Sequence, residues 1–132
     1  MFVREIIKRK GTDEDLLLLK QNMPKFLKLC RHMLNLPRLP KIIVNNTERD
    51  ARQHHSFGRY DPYRNKIFIN TYKRHIMDIF RTLAHELVHF KQGLVKGTHN
   101  LDGSTGSKDE NQANAVAGQI MRNWGIMNRK LF

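Results

Sequence analysis

One segment constrains this chain more than any other. From residue 73 to about 94, Ile76, Ile79, Phe80, Leu83, Leu87, Phe90 and Leu94 recur at intervals of three and four, which predicts a helix with one apolar stripe. A helix of that kind demands a core on its apolar side, and the rest of the chain must supply it. Across the axis from the stripe stands HELVH, residues 85 to 89. At 100 degrees per residue, His85 and His89 lie about 40 degrees apart and about 140 degrees from Leu83, the middle of the stripe. Both point away from the core.

Two imidazoles one turn apart, with Cβ atoms roughly 5–6 Å from each other, can converge on one cation at about 2.0–2.1 Å, the ligand distance of zinc. Glu86 lies to one side, close enough to take a proton from a water at the cation without binding the cation itself. The pattern therefore predicts a Zn2+ site with His85 and His89 as ligands and Glu86 as general base. A plain helix with two solvent-facing histidines and a salt-bridging glutamate carries the same five letters. The position on the face away from the core, and a third ligand, weigh against that reading.

Three residues are candidates for the third ligand: Glu110, His99 and Asp102. Glu110 is preferred, because Glu110, Ala113, Asn114, Ala117 and Met121 share one helical face and the alanines let a neighbouring helix come close. A third histidine six residues beyond His89 would fall on Val95, and Gln92 stands where that pattern has glycine. In the GTHNLD stretch, Asn100 occupies the place of an aspartate ligand. Hydrolysis through a tetrahedral intermediate also wants a hydrogen-bond donor facing the metal. His54, His55, Tyr60, Tyr72 and His99 are available, and His99 is the expected choice because its loop directly follows the active helix.

Elsewhere, Thr12 and Asp15 resemble a capping box that starts a helix near residue 13. Pro24 either opens a second helix or kinks a single long one. Phe26, Leu27, Cys30, Met33 and Leu34 form one apolar face, with Cys30 a small buried hydrophobe that has no second cysteine to pair with. Pro37 and Pro40 end this region. Lys41 to Asn45 reads as a short strand and Thr47 to Ser56 as a polar loop. Phe57 to Tyr60 and Lys66 to Asn70 read as an antiparallel pair about the turn DPYRN. A Gly-, Ser- and Thr-rich loop from Lys96 to Lys108 leads to a last helix from Asp109 to Trp124, ended by Gly125. Phe80, Phe90 and Trp124 belong to the core. The expected fold class is α+β: one domain over residues 1–132, with several helices on a small, mostly antiparallel sheet.

Twenty-four Lys and Arg against twelve Asp and Glu give the 132-residue chain a net charge of +12. That balance is a basic soluble surface, or one that faces nucleic acid or an acidic protein surface; the basic residues are spread, Arg74 among them. Tyr63 and Tyr72 are either solvated turn residues or platforms for bases. No run of 18 apolar residues exists, so a helical membrane span is not expected. Nor does the start of the chain read as a secretory signal, which makes the cytoplasm the default compartment. A compact, very basic chain also suits a phage or other mobile element, with host cytoplasm or virion as its place.

HELVH followed, 21 residues past His89, by Glu110-x-x-Ala113-Asn114-x-x-Ala117 resembles the gluzincin pattern of the small ImmA/IrrE-type metallopeptidases. YDPYRNKIFIN resembles the strand before the active helix in those proteins and in SprT-like and minimal zincins. The likeness spans about residues 57 to 121, and the N-terminal third has no counterpart in it. It implies a zincin-like fold, bound zinc and a polypeptide substrate added as a strand along the sheet edge, near Ile67 to Asn70. The SprT-like resemblance further implies substrates that are proteins bound to DNA. The competing reading is a basic nucleic-acid-binding or virion-associated protein that keeps the zincin scaffold with little catalysis.

Overall fold

The computed structural model describes residues 3–8, 13–46, 57–104 and 106–129. The expected Thr12 cap and the polar loop at 47–56, with His54 and His55, lie outside the described residues. The elements in chain order are β1 (Val3–Lys8), α1 (Asp13–Leu34), β2 (Lys41–Asn46), β3 (Gly58–Asp61), β4 (Lys66–Asn70), α2 (Ile76–Lys96), a 3-10 turn (Thr98–Asn100) and α3 (Lys108–Met127).

The fold is α+β, with a four-stranded sheet in the order β1-β2-β4-β3. Its pairing corrects the expected antiparallel character. β1 pairs parallel with β2, β2 pairs parallel with β4, and only β3 and β4 are antiparallel. The cause is the N-terminal third, where VREIIK forms a strand and α1 is the crossover that returns the chain parallel to it. The hairpin is as its turn residues foretold. Asp61 Oδ1 accepts from the N–H groups of Tyr63 and Arg64 at 3.1 and 3.2 Å, and Asn65 takes the left-handed conformation that asparagine tolerates.

α1 runs unbroken through Pro24, which is exposed along with Lys20, the residue whose carbonyl loses its helical donor. On the solvent side that loss is cheap. The helix ends at Asn35, φ 52°, where Leu36 N–H reaches Arg31 O at 3.0 Å and Asn35 N–H reaches His32 O at 3.2 Å, a Schellman closure. α3 passes through Gly125 instead of stopping there, since Gly125 is buried among core residues and Asn128 N–H caps Trp124 O at 2.9 Å.

Strands of four to six residues are held by what they bury. Ile42 and Val44 of β2 and Ile67 and Ile69 of β4 are at most 1% exposed, and each contributes about 1.5–3 kcal/mol on burial. The helices cover that sheet face. Phe26 of α1 stacks on Phe80 of α2 with ring centroids 4.2 Å apart, and Trp124 of α3 stands edge-on to both. Phe80, Phe90 and Trp124 are core residues as expected, and Cys30 is fully buried, its thiol pushed far up by desolvation. Among the described residues no helix is long and apolar enough to cross a membrane.

Candidate metal centre

α2 carries its apolar stripe into this core with Ile76, Ile79, Phe80, Leu83, Leu87 and Phe90 all buried. His75 caps its start, accepting the Met77 N–H on Nδ1 at 3.1 Å, and Gly97, φ 89°, closes its end. The opposite face therefore presents His85, Glu86 and His89 to the space between α2, α3 and β3.

Glu110 enters that space from α3. Ser107 is the N-cap of α3 and accepts the Glu110 N–H at 3.1 Å. In the Ser-x-x-Glu box this glutamate would ordinarily fold back to the cap residue's own N–H. Here that N–H goes to Ser104 O, and the Glu110 carboxylate turns to the histidines instead. Its Oε1 is 2.9 Å from His85 Nε2 and its Oε2 is 2.9 Å from His89 Nε2. Ala113 and Ala117, at 0% and 2% exposure, provide the close helix approach that this reach requires.

One nitrogen or oxygen from each of His85, His89 and Glu110 lies within 4.8 Å of the others. Ligand atoms around a tetrahedral zinc are about 3.4 Å apart when each bond is about 2.1 Å. The donor set, two imidazoles and one carboxylate, is that of a catalytic zinc site with a position left open. Burial holds the His85 imidazole below its usual pKa, against the opposing pull of Glu110. A neutral ring is the form that binds metal. His85 also hydrogen-bonds the Asn114 side chain, and His89 Nδ1 pairs with Gln92 Oε1 at 2.7 Å.

Glu86 stands apart from these three donors. Burial pushes its carboxyl up to about 7, His89 and the Tyr60 backbone N–H pull it back, and the charge of Glu110 adds to the rise. The Tyr60 contact follows from strand phase. Asn70 N–H bonds to Phe57 O at 2.8 Å, so Phe57, Arg59 and Asp61 direct their backbone groups to β4, and Tyr60 directs its N–H away from the sheet. That N–H meets Glu86. The approach depends on Gly58, where an added Cβ would overlap the Thr82 methyl and lie 3.6 Å from Glu86 Cγ.

Arg74 holds this junction together. Its guanidinium donates to Asn70 O at 2.9 Å, to Asp78 Oδ2 at 2.8 Å and to Thr82 Oγ1, and lies over the Phe57 ring. Although it counts toward the basic surface by sequence, its side chain is only 5% exposed. β4 lies between β2 and β3, so Ile67 to Asn70 is not an edge. The sheet edge beside the metal centre is β3.

A cleft of about 350 Å³ opens between β3, the HELVH face of α2 and Glu110, with Leu101 and Gly103 on its loop side. Tyr60 lines it, while its ring packs edge-on against Phe90. His99 does not line it. The turn made by Gly97 and the 3-10 segment exposes His99 and leaves its ring 6.0 Å from that of Tyr63. Asp102 is also absent from the donor cluster, its carboxylate being taken by the Ser104 N–H and hydroxyl. Tyr72, beneath the Lys73 ammonium, is outside the cleft as well. Of the residues that matter here, Gly58 and Arg74 had no signal in the sequence that marked their roles, and Gln92 stood out only as a departure from the three-histidine pattern. Asn114 had one, as the residue one turn beyond Glu110 on the same face.

Comparison with known proteins bears on the family and the fold. The family model Peptidase M78, the IrrE N-terminal-like domain, matches residues 39–122. The crystal structure of a Wss1 mutant from Saccharomyces cerevisiae has the same fold, with a TM-score of 0.58 and 18% identity over 97% of this chain and 93% of that one. No curated protein matches the chain in sequence.

Proposed function

Since the chain belongs to the Peptidase M78 family of IrrE N-terminal-like domains, we propose that it is a zinc peptidase, with His85, His89 and Glu110 holding the ion and Glu86 as general base. The observation that carries this reading is the convergence of two Nε2 atoms and one carboxylate from separate helices, beside a second carboxylate that is not part of the cluster. Zinc bound there would polarise the scissile carbonyl and acidify a water. Glu86 takes the proton from the attacking water and passes it to the leaving amine. A carboxyl whose pKa has been raised by burial suits such two-way traffic near neutral pH.

The substrate is a polypeptide, and β3 is the edge along which it would lie, with the Tyr60 N–H already turned outward toward Glu86. The donor role expected for His99 falls instead to Tyr60, a residue that lines the cleft and whose hydroxyl lies beside Gly93, one turn beyond His89. Tyr60→Phe then lowers kcat by about 100-fold with little change in KM. A kcat within a factor of two of the wild type removes Tyr60 from the mechanism.

Purified chain is expected to hold about one zinc, the stoichiometry of a three-ligand mononuclear site. Chelation should abolish hydrolysis of an unfolded protein substrate, and added zinc should restore it. The competing polyanion-binding reading has its own support in the +12 charge and in an open groove of about 890 Å³ bordered by Arg81 and Arg122. It is separated by the same treatment: salt-sensitive nucleic-acid binding persists in the chelated protein, and hydrolysis is absent before and after. Wild-type protein without zinc at the histidines refutes the peptidase reading.

A further inference from the structure

Gln92 stands one turn beyond His89 on α2 and is 6% exposed. A buried primary amide must satisfy two N–H donors and a carbonyl oxygen, and Gln92 satisfies all three. Its Nε2 donates to the backbone oxygen of Asp109 at 2.9 Å and to Gln112 Oε1 at 2.8 Å. Its Oε1 faces His89 Nδ1 at 2.7 Å.

The orientation of this amide is decided by its neighbours. A backbone carbonyl only accepts, so the amide nitrogen has to be the end that meets Asp109. Oε1 is thereby turned to His89, and because an amide oxygen also only accepts, His89 Nδ1 has to carry the hydrogen. In the neutral ring the lone pair is then on Nε2, the nitrogen that points to Glu110 at 2.9 Å. One main-chain carbonyl at the start of α3 thereby sets the metal-binding nitrogen on α2.

We infer that Gln92 is a positioning residue that fixes His89 in its Nδ1–H tautomer, aims Nε2 at the ion, and ties that aim to the first turn of α3 that carries Glu110. This inference rests on the zinc-site reading and adds to it a residue outside the donor set. Partners of this kind raise metal affinity by about 10- to 100-fold through ring orientation and ligand basicity.

The test is zinc affinity by competition with a chromophoric chelator, on wild type, Gln92→Met and Gln92→Glu. Met keeps the volume and removes the acceptor. Glu keeps an acceptor for the Nδ1–H and gives up the two donations to α3. Gln92→Met should bind zinc about 10- to 100-fold more weakly with its circular dichroism unchanged, while Gln92→Glu stays within about threefold of wild type even where its melting temperature falls. In the zinc-loaded wild type, two-bond 1H–15N spectra of the histidines should show His89 protonated at Nδ1 and metal-bound at Nε2. That measurement decides the matter should either variant not fold. Equal zinc affinity of Gln92→Met and wild type, or a His89 bound through Nδ1, overturns the role of Gln92 and leaves the zinc site standing. A wild-type chain that takes up no zinc overturns both.

Discussion

Glu86→Gln is expected to keep its zinc and its fold while kcat falls by about 100- to 10,000-fold, the range for loss of a positioned general base. The substitution is nearly isosteric. Its side-chain oxygen can still accept the Tyr60 backbone N–H that the carboxylate accepts in the native chain, so β3 stays docked against α2. Zinc should be unaffected, since the donor cluster consists of His85, His89 and Glu110 without Glu86. An amide, however, has no basic site for the proton of the attacking water. Substrate binding along β3 does not use that proton, so KM should hold, the pattern of an interaction made only in the transition state. Metal analysis, thermal melting and steady-state kinetics on one preparation make the comparison. A variant that keeps more than about a tenth of kcat would require a different base. A variant that loses its zinc would make Glu86 a ligand, and the division of roles between the two carboxylates would have to be redrawn.

The helix that bears this chemistry was legible because everything that specifies it is local. HELVH and the face shared by Glu110, Ala113 and Ala117 are each visible within about two turns of sequence, the apolar stripe lies within a single helix, and α2 and α3 form with only small shifts in their ends. The sheet was not legible in the same way. β1, β2 and β4 pair in parallel across α1 and across a stretch containing β3, and no local pattern records which strand lies beside which. VREIIK, short and charged, gives no sign of being a strand until β2 lies beside it.

The misplaced donor has a similar cause. Proximity to α2 in sequence favoured His99, but a single glycine at φ 89° turns the chain so that Leu101 and Gly103 reach the cleft instead. Gln92 was visible in the sequence only as a departure from a three-histidine pattern. Its partners, Asp109 O and Gln112, lie 17 and 20 residues away on another helix. Arg74 likewise added to the basic count until the strand ends it binds came together.

Glu110→Gln should weaken zinc binding by at least about 100-fold, beyond the 10- to 100-fold typical of a ligand's supporting partner. Glu110 is the only anion among the three donors, and its two oxygens each lie 2.9 Å from an imidazole Nε2. An amide in its place keeps the shape of the α2–α3 junction and removes the charge that offsets the cation. Folding should therefore persist, because Ala113, Ala117 and the Phe26–Phe80–Trp124 cluster are untouched. Linkage gives a second readout. Zinc at 100 times its dissociation constant stabilises a folded chain by about 2.7 kcal/mol, which for a domain of this size raises the melting temperature by roughly 10 °C. Wild type should show that rise and Glu110→Gln should show almost none. The alternative third ligands make the opposite forecast: were His99 or Asp102 to complete the site, Glu110→Gln would keep its zinc, and His99→Ala or Asp102→Ala would lose it. The exposure of His99 and the engagement of Asp102 with Ser104 argue against that outcome. An unchanged zinc-dependent melting shift in Glu110→Gln would nonetheless establish it and take the carboxylate from α3 out of the coordination sphere.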